Sequence, residues 1–408
     1  MNVNVAVVGA GPAGAWAALK LARAGVSVTV FDPSHPREKP CGGGVTGRAV
    51  ELIVDELGAW PVPVVPVREA RFERAMASPA ESAPVSQGHA AVVRLSDRGL
   101  SSDSSLLVAS RAAFDRALLG AAVGAGATLI AERVIDVDCG ANGALIRTRS
   151  AGYRADFLFG ADGANSLVRR RVATPFTRHQ ISIGAGYFVH GASSHEIAIR
   201  WASNPPGYLW CFPRPDHLAV GICAQSNDAP NVGDLRRHAA DWIAAADLAR
   251  GPVRREPYSW PIPSLNVADF GDLALAADRW MLLGDAAGLV DPLTREGIYY
   301  ALLSGDMAAA AIAGGERSPA AAYRARVAAS IVPELRRAAA LKRGFFSAGF
   351  SPLVVQALSQ SAAIRSVMSD LIGGRQSYIG LRRRLLATWR VDLALGVLRR
   401  GWTFAYAH

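Results

Sequence analysis

The chain has 408 residues, half of them apolar, with 44 Lys and Arg against 34 Asp and Glu; this is enough for a sizeable core divided over two or three domains and argues against disorder. Its four cysteines, Cys41, Cys139, Cys211 and Cys223, show no CxxC pairing, which argues against a zinc site and a disulfide framework and fits free thiols in a reducing compartment. The net charge of +10 belongs to one end, because from Gly314 to His408 fifteen Lys and Arg face four Asp and Glu, and with no nucleic-acid module beside them no nucleic-acid partner is expected.

Met1 leads into the apolar run Val3 to Val8 with no basic n-region and no cleavage site, so a cytosolic protein is expected. The run opens VNVAVVGAGPAGAWAALKLARAGVSVTVFD, which reads as strand, glycine turn, helix and second strand ending in an acid. Gly9 makes the tight turn, Gly11 lets a pyrophosphate approach the backbone, and Gly14 lets the helix pack on the strand. Pro12 and Ala13 open the helix, whose unpaired N–H groups face the phosphates. Asp32 ends the second strand, where a carboxylate can accept hydrogen bonds from an adenosine ribose.

Ala49 to Ala59 reads as a short helix, and PVPVVP at 61–66 and the Ser, Ala and Pro-rich stretch 75–89 as connections. Arg111 begins a helix with Phe114, Leu118 and Ala122 at helical spacing, so its guanidinium could reach a phosphate. LFGADGANSLVRR is an apolar strand turning at Asp162 and Gly163 into a helix start. Between about 173 and 268, patterns such as ISIGAGYFV and HLAVGICA alternate, as in an antiparallel sheet. Within that region NPPGYLWCFPR, run as a strand, projects Tyr208, Trp210 and Phe212 from one face. Such a wall is either sheet core or the lining of a cavity for a large apolar ligand. RWMLLGDAAGLVDPLTREGIYYALLSG repeats the strand, turn and helix logic, with Asp285 placed to hold a ribityl hydroxyl. The uncharged stretch 344–364 contains Pro352, four serines and two glutamines and is too polar for a membrane span. From Leu381 to Arg400 an amphipathic basic helix is expected, able to dock on its own protein or to lie on an anionic membrane surface.

The order of these motifs resembles the FAD-dependent reductase and monooxygenase superfamily, and within it the geranylgeranyl reductase family. Three stretches carry the closer match: KPCGGGVTGRAV (39–50), PxxYxWxFP (205–213) and GDAAGLVDPLTREGIYYAL (284–302). The resemblance covers about the first 310 residues. It implies FAD held by Gly9, Gly11, Pro12, Ala13, Gly14, Asp32, Cys41, Gly42, Gly43, Arg48, Arg111, Asp162, Gly163, Gly284, Asp285, Pro292, Gly297 and Ile298. It also implies that Tyr208, Trp210 and Phe212 line a cavity for an isoprenoid chain near the flavin, with Cys41 beside the ring to position or protonate substrate. Tyr208 and Trp210 join Cys41 as the residues closest to the chemistry. The Cys41 loop has little side chain, so its glycines would let backbone approach something flat such as the isoalloxazine. One departure stands out: the family usually has glycine before Glu296, and this chain has Arg295, which would turn a charge towards flavin or substrate head group.

The implied reaction is hydride delivery from reduced flavin to a carbon–carbon double bond of a geranylgeranyl-type chain, with a proton added to the neighbouring carbon. NADPH or a ferredoxin would fit as electron donor. Rival readings are a flavin monooxygenase, disfavoured by Gly288 where many carry histidine, and a flavin halogenase, disfavoured because no lysine lies between Lys39 and Lys342. A prenyl escort protein without catalysis is a third. The expected fold is α/β: a Rossmann-like FAD-binding domain (1–66, 97–172 and 270–315), an inserted antiparallel β-sheet substrate domain (67–96 and 173–269), and a C-terminal helical region (316–408).

Overall fold

The computed structural model describes residues 3–75, 90–95, 106–228, 231–248, 253–347 and 349–388. The chain divides into two compact units, each assembled from three segments: Met1–Lys39, Arg111–Gln180 and Ile262–Arg336 in the first, Pro40–Ser110, Ile181–Pro261 and Arg337–His408 in the second.

The first unit is built on a six-stranded sheet. Strand Asn4–Val8 lies at its centre, parallel to Ser27–Phe31 on one side and to Phe157–Gly160 on the other. Thr128–Ile130 and Trp280–Leu282 extend it in parallel, and the short Ala276–Ala277 closes one edge antiparallel. Parallel strands are covered on both faces, which is why Val5 to Val8 and Phe157 to Gly160 are continuous buried runs rather than alternating ones. Helix Pro12–Arg23 packs against helices Arg111–Gly124 and Ile298–Ala313. Small residues set that spacing: a methyl group on Gly305 would come within 2.8 Å of the Ala13 carbonyl oxygen. A three-stranded antiparallel meander, Asp136–Gly140, Gly143–Arg147 and Gly152–Ala155, completes the unit.

The second unit carries a seven-stranded sheet in the order Arg254–Pro263, Ile181–His190, His217–Gln225, Pro206–Pro213, Glu196–Ser203, Glu69–Glu73, Ala90–Arg94. The sheet is not purely antiparallel, because Glu196–Ser203 runs parallel to Glu69–Glu73. Alternation sorts its two faces. Ala198, Leu209, Cys211, Val220 and Ile222 meet Leu235, Trp242 and Ile243 of helix Val232–Ala245. Ile197, Trp201, Phe72 and Val93 meet Phe350, Val354 and Leu358 of helix Phe350–Gln360 and Ile364 of helix Ala362–Ile372. Within the uncharged stretch 344–364, helix Phe350–Gln360 therefore covers the sheet, and no helix among the described residues is long and apolar enough to cross a membrane.

The unit boundaries depart from the sequence-based ones over 316–408, expected as a separate helical region but divided between the two units at Arg336, and at residues 40–66, which the sequence groups with the nucleotide-binding motif. The physical reason at 40–66 is a small three-stranded sheet: Gly44–Thr46 and Val64–Pro66 both pair with Leu106–Ala109, tying the whole segment into the second unit. The helix expected at 49–59 runs from Gly47 to Leu57. Of the basic tail helix, Leu381–Leu386 is seen; the expectation for Trp389 to Arg400 lies outside the described residues, as does that for 76–89.

Candidate cofactor and substrate sites

In the first unit the strand Asn4–Val8 turns into helix Pro12–Arg23 through Gly9, Ala10 and Gly11. Sterics explain two of the motif's glycines. Gly9 has φ +102°, and a methyl group there would lie 2.4 Å from the Ala161 carbonyl oxygen; one on Gly14 would lie 1.9 Å from the Gly9 carbonyl oxygen. Gly11 is the helix N-cap in an extended conformation with Pro12 following, and no side chain caps this end, so the positive end of the helix is open to an anion.

The second strand delivers Asp32 to this turn. Its Oδ2 accepts from the Ala10 amide at 2.9 Å and faces His35 Nδ1 at 2.7 Å, while its Oδ1 accepts from the Ser34 and His35 amides at 2.8 and 3.0 Å. Burial works against its ionisation, but His35 and the Ala10 and Ser34 amides outweigh it and hold the carboxyl well below the ordinary range. The acid assigned to a ribose thus also builds the turn.

Arg111 does not project alone. Its Nε and Nη2 donate to Asp115, one helical turn on, at 3.0 and 2.9 Å, in the planar fork geometry that suits carboxylate. Asp115 is fully buried, and it also faces His35 Nε2 at 3.3 Å and Lys39 Nζ at 3.7 Å. Burial opposes its charge, yet Arg111, His35 and Lys39 keep it ionised far below the usual carboxylate range. Glu38 caps the start of the Arg111 helix, accepting from the Arg111 amide at 3.0 Å.

Gly284 packs between helices Pro12–Arg23 and Ile298–Ala313, 3.1 Å from Ala13 Cβ measured from a methyl group built on it, and donates its amide to Ser304 Oγ at 3.0 Å. Burial pushes the Asp285 carboxyl up, against the pull of Lys39 and Arg111. Lys39 is lowered by burial and by Arg111, against Asp115 and Asp285. A methyl group on Gly297 would sit 3.3 Å from Asp285 Oδ1, so the loop before helix Ile298–Ala313 crowds this carboxylate. That loop is knotted by Asp291, whose Oδ1 accepts from the Leu293 and Thr294 amides at 2.7 and 3.1 Å around Pro292, and whose carbonyl accepts from the Arg295 amide at 2.9 Å. Arg295 has φ +62°. The position that the family usually fills with glycine keeps a left-handed backbone here although its residue is arginine.

Asp162 and Gly163 stand at the end of strand Phe157–Gly160. Asp162 Oδ2 accepts from the Leu167 and Val168 amides at 2.6 and 3.1 Å, so its carboxylate serves helix Leu167–Val172, and burial raises its pKa in spite of these bonds. Arg169 from that helix donates to the Ala286 carbonyl oxygen at 3.1 Å, linking it to the Gly284 turn; burial lowers its pKa to about 10.

In the second unit Tyr208, Trp210 and Phe212 do share one face of the central strand Pro206–Pro213. Tyr208 lies parallel to Phe346, with ring centroids 6.2 Å apart and planes 8° apart. Trp210 lies across its pairing partner Gly221, beside Tyr258, where a methyl group would be 2.5 Å from Trp210 Cζ2. Tyr258 donates to the Val220 carbonyl oxygen at 2.9 Å, and burial drives its hydroxyl pKa far up. Phe212 lies across the cysteine loop: methyl groups on Gly42 and Gly44 would each be 2.9 Å from its ring. The flat group that these glycines approach within this unit is the Phe212 side chain. Arg214 completes the arrangement, donating from Nη2 to the Cys41 carbonyl oxygen and passing close to Gly43; burial lowers its pKa to about 10. Cys41 Sγ accepts from the Gly43 amide at 3.3 Å. Arg48 lays its stem against the Gly374 turn.

The site residues therefore fall into two sets. Gly9 to Gly14, Asp32, Arg111, Asp162, Gly163, Gly284, Asp285, Pro292, Arg295, Gly297 and Ile298 belong to the first unit; Cys41 to Gly43, Arg48, Tyr208, Trp210 and Phe212 belong to the second. Sequence reasoning passed over Asp115, Lys39, His35 and Arg214. Asp115 had a signal, its i+4 spacing from Arg111; Arg214 had none, since its partner Cys41 is 173 residues away.

The first unit's glycine turn, open helix end and ionised Asp32 fit a flavin dinucleotide, with the turn for its pyrophosphate and Asp32 for its ribose. Known proteins agree. The FAD binding domain family matches residues 2–303. A digeranylgeranylglycerophospholipid reductase of Methanothrix thermoacetophila is 30% identical over 85% of this chain and 88% of its own. A menaquinone reductase of Mycobacterium tuberculosis is 32% identical over 76% of each. The crystal structure of a geranylgeranyl bacteriochlorophyll reductase-like protein from Thermoplasma acidophilum superposes with a TM-score of 0.76 at 21% identity, covering 94% of this chain and 98% of that one, a likeness of fold. With the FAD motifs in place and relatives of this kind matching along most of its length, the chain belongs to the geranylgeranyl reductase family of FAD-dependent oxidoreductases.

Proposed function

We propose that the protein reduces carbon–carbon double bonds in the polyprenyl chain of a lipid or quinone. The observation that carries this reading is the row Tyr208, Trp210 and Phe212 on one face of a central strand, with the Cys41 loop laid on its last ring. A prenyl chain offers only apolar contacts, and rigid rings supply large contact area at little entropic cost. The names of the two enzyme relatives, one for a digeranylgeranyl lipid and one for menaquinone, support the same substrate class.

FAD, when bound and reduced, supplies the hydride that adds to one alkene carbon. The first unit's residues hold it: the Gly9–Gly14 turn and helix end take the pyrophosphate, and Asp32 accepts from the ribose. Cys41, kept in place through Gly43, Phe212 and Arg214, orients the substrate or gives the proton that the neighbouring carbon needs. Rings of the aromatic row exclude water and, as the proton reaches one alkene carbon ahead of the hydride, stabilise the positive charge that develops on the other. NADPH or a ferredoxin returns the electrons, and the basic C-terminal region brings the protein to membranes that hold the lipid.

Incubation of the chemically reduced protein with geranylgeranyl lipids and with menaquinone, anaerobically and in air, tests this by mass spectrometry. Gain of hydrogen pairs without oxygen is expected. Gain of an oxygen atom only in air would move the protein to the monooxygenases.

A further inference from the structure

Two of the three motif glycines are closed off by backbone, Gly9 by Ala161 and Gly14 by Gly9 itself. Gly11 differs. A methyl group built on it would meet only two atoms among the described residues outside its chain neighbours: Lys39 Nζ at 3.1 Å and His35 Nε2 at 3.9 Å. The face of the turn that the motif reserves for pyrophosphate is therefore overhung by two basic nitrogens.

Both meet at one buried carboxylate, Asp115. His35 is gripped between Asp32 Oδ2 and Asp115 Oδ2, at 2.7 and 3.3 Å, and Lys39 reaches Asp115 from the other side at 3.7 Å. Arg111, which the sequence offers to a phosphate, turns the edge of its guanidinium to Asp115 in a two-bond contact. Asp115 thus draws in the guanidinium of Arg111 and the ammonium of Lys39, and the ammonium, at the longer reach, is the one over Gly11. An incoming dinucleotide brings two negative charges beside two carboxylates, Asp32 and Asp115, and the partial positive charge of the helix end cannot balance them alone.

We propose that Lys39, steered by Asp115 and seated beside His35, is the counter-charge for the dinucleotide pyrophosphate at the Gly9–Gly14 turn. The inference rests on FAD as the cofactor and gives KPCGGG a role at its first residue: Lys39 ends the first unit's opening segment and serves the cofactor, while Pro40 onward belongs to the second unit.

The test is FAD affinity of the flavin-stripped full chain, followed by quenching of flavin fluorescence at low and high salt. Lys39→Met should raise Kd about tenfold to a hundredfold, the range of one charge-assisted contact, and flatten its salt dependence; Lys39→Arg should keep most of both. An unchanged Kd, or a raised Kd with the wild-type salt dependence, overturns the proposal. A second measurement needs no variant. The chain has three lysines, Lys20, Lys39 and Lys342, so acetylation read by mass spectrometry should show Lys39 protected by FAD and the other two unaffected. Equal labelling of Lys39 with and without FAD refutes the role. A wild-type chain that takes up no FAD removes the cofactor reading as well, and is told apart by the absence of any flavin signal.

Discussion

Asp115→Asn is the sharpest test of how the first unit is held together. Asp115 is fully buried, accepts two bonds from Arg111, and faces His35 and Lys39. Asparagine keeps the shape but removes the charge, leaving the Arg111 guanidinium buried without its counter-ion. Breaking a buried pair from one side costs about 3–5 kcal/mol, which for a unit of this size lowers Tm by roughly 6 °C or more. The pH dependence has a definite sign. The folded-state pKa lies below the unfolded one, so the stabilisation is complete above the unfolded carboxyl value, near pH 4, and is lost as pH falls towards the folded value. Thermal unfolding of the flavin-free protein at pH 7 and at successively lower pH should therefore show a large gap between wild type and variant that narrows below about pH 4. A gap under about 1 kcal/mol at pH 7, the range of an exposed pair, or one that does not change with pH, would refute the reasoning.

Trp210→Ala, tested by the flavin spectrum and by titration with a prenyl lipid, should leave FAD bound while weakening prenyl binding at least tenfold, as expected for a ring worth about 1.5–3 kcal/mol of apolar contact; loss of the flavin instead would show the ring to be core. Gly42→Ala puts a methyl group 2.9 Å from the Phe212 ring, and overpacking of this kind should cost about 1–3 kcal/mol in chemical denaturation. Arg295→Gly relieves a left-handed backbone and should stabilise the protein by about 0.5–1 kcal/mol; a loss of stability would mean that contacts of the arginine side chain outweigh the backbone term. Pelleting with anionic vesicles should be lost on truncation after Arg375, because juxtamembrane basic residues contribute about 1 kcal/mol each near such a surface; equal pelleting by the truncated chain excludes the tail as the membrane contact.

The nucleotide-binding turn is legible from sequence because its logic is local. Gly9, Gly11, Gly14 and the strand and helix around them lie within twenty-five residues, and period and turn chemistry determine them. The aromatic row is legible for the same reason, since alternation along one strand suffices to place Tyr208, Trp210 and Phe212 together. What lies on top of those rings is a different matter. The packing of Phe212 on the Gly42 and Gly44 loop, and the bond from Arg214 to Cys41, join segments about 170 residues apart, and nothing in the spacing of either motif announces the other. The parallel junction of Glu69–Glu73 with Glu196–Ser203 is hidden likewise, because each strand by itself reads as an ordinary alternating one. The cluster of Asp32, His35, Lys39 and Asp115 is intermediate: each residue lies near a motif, but only the fold converts four scattered polar positions into one connected set of polar groups.

The interleaving of both units along the chain has a consequence for how the protein is made. Strand Glu69–Glu73 finds its parallel partner only after Glu196–Ser203 has been synthesised, and the apolar face they share, with Phe72 and Trp201, is covered by Phe350, Val354 and Leu358. At about 5–20 residues per second, roughly 7–30 s separate Ser203 from Phe350 on the ribosome. Throughout that interval an apolar sheet face stands open to other chains, so the nascent protein depends on chaperones in a way the finished one does not, and a fragment ended before Phe350 should aggregate rather than fold.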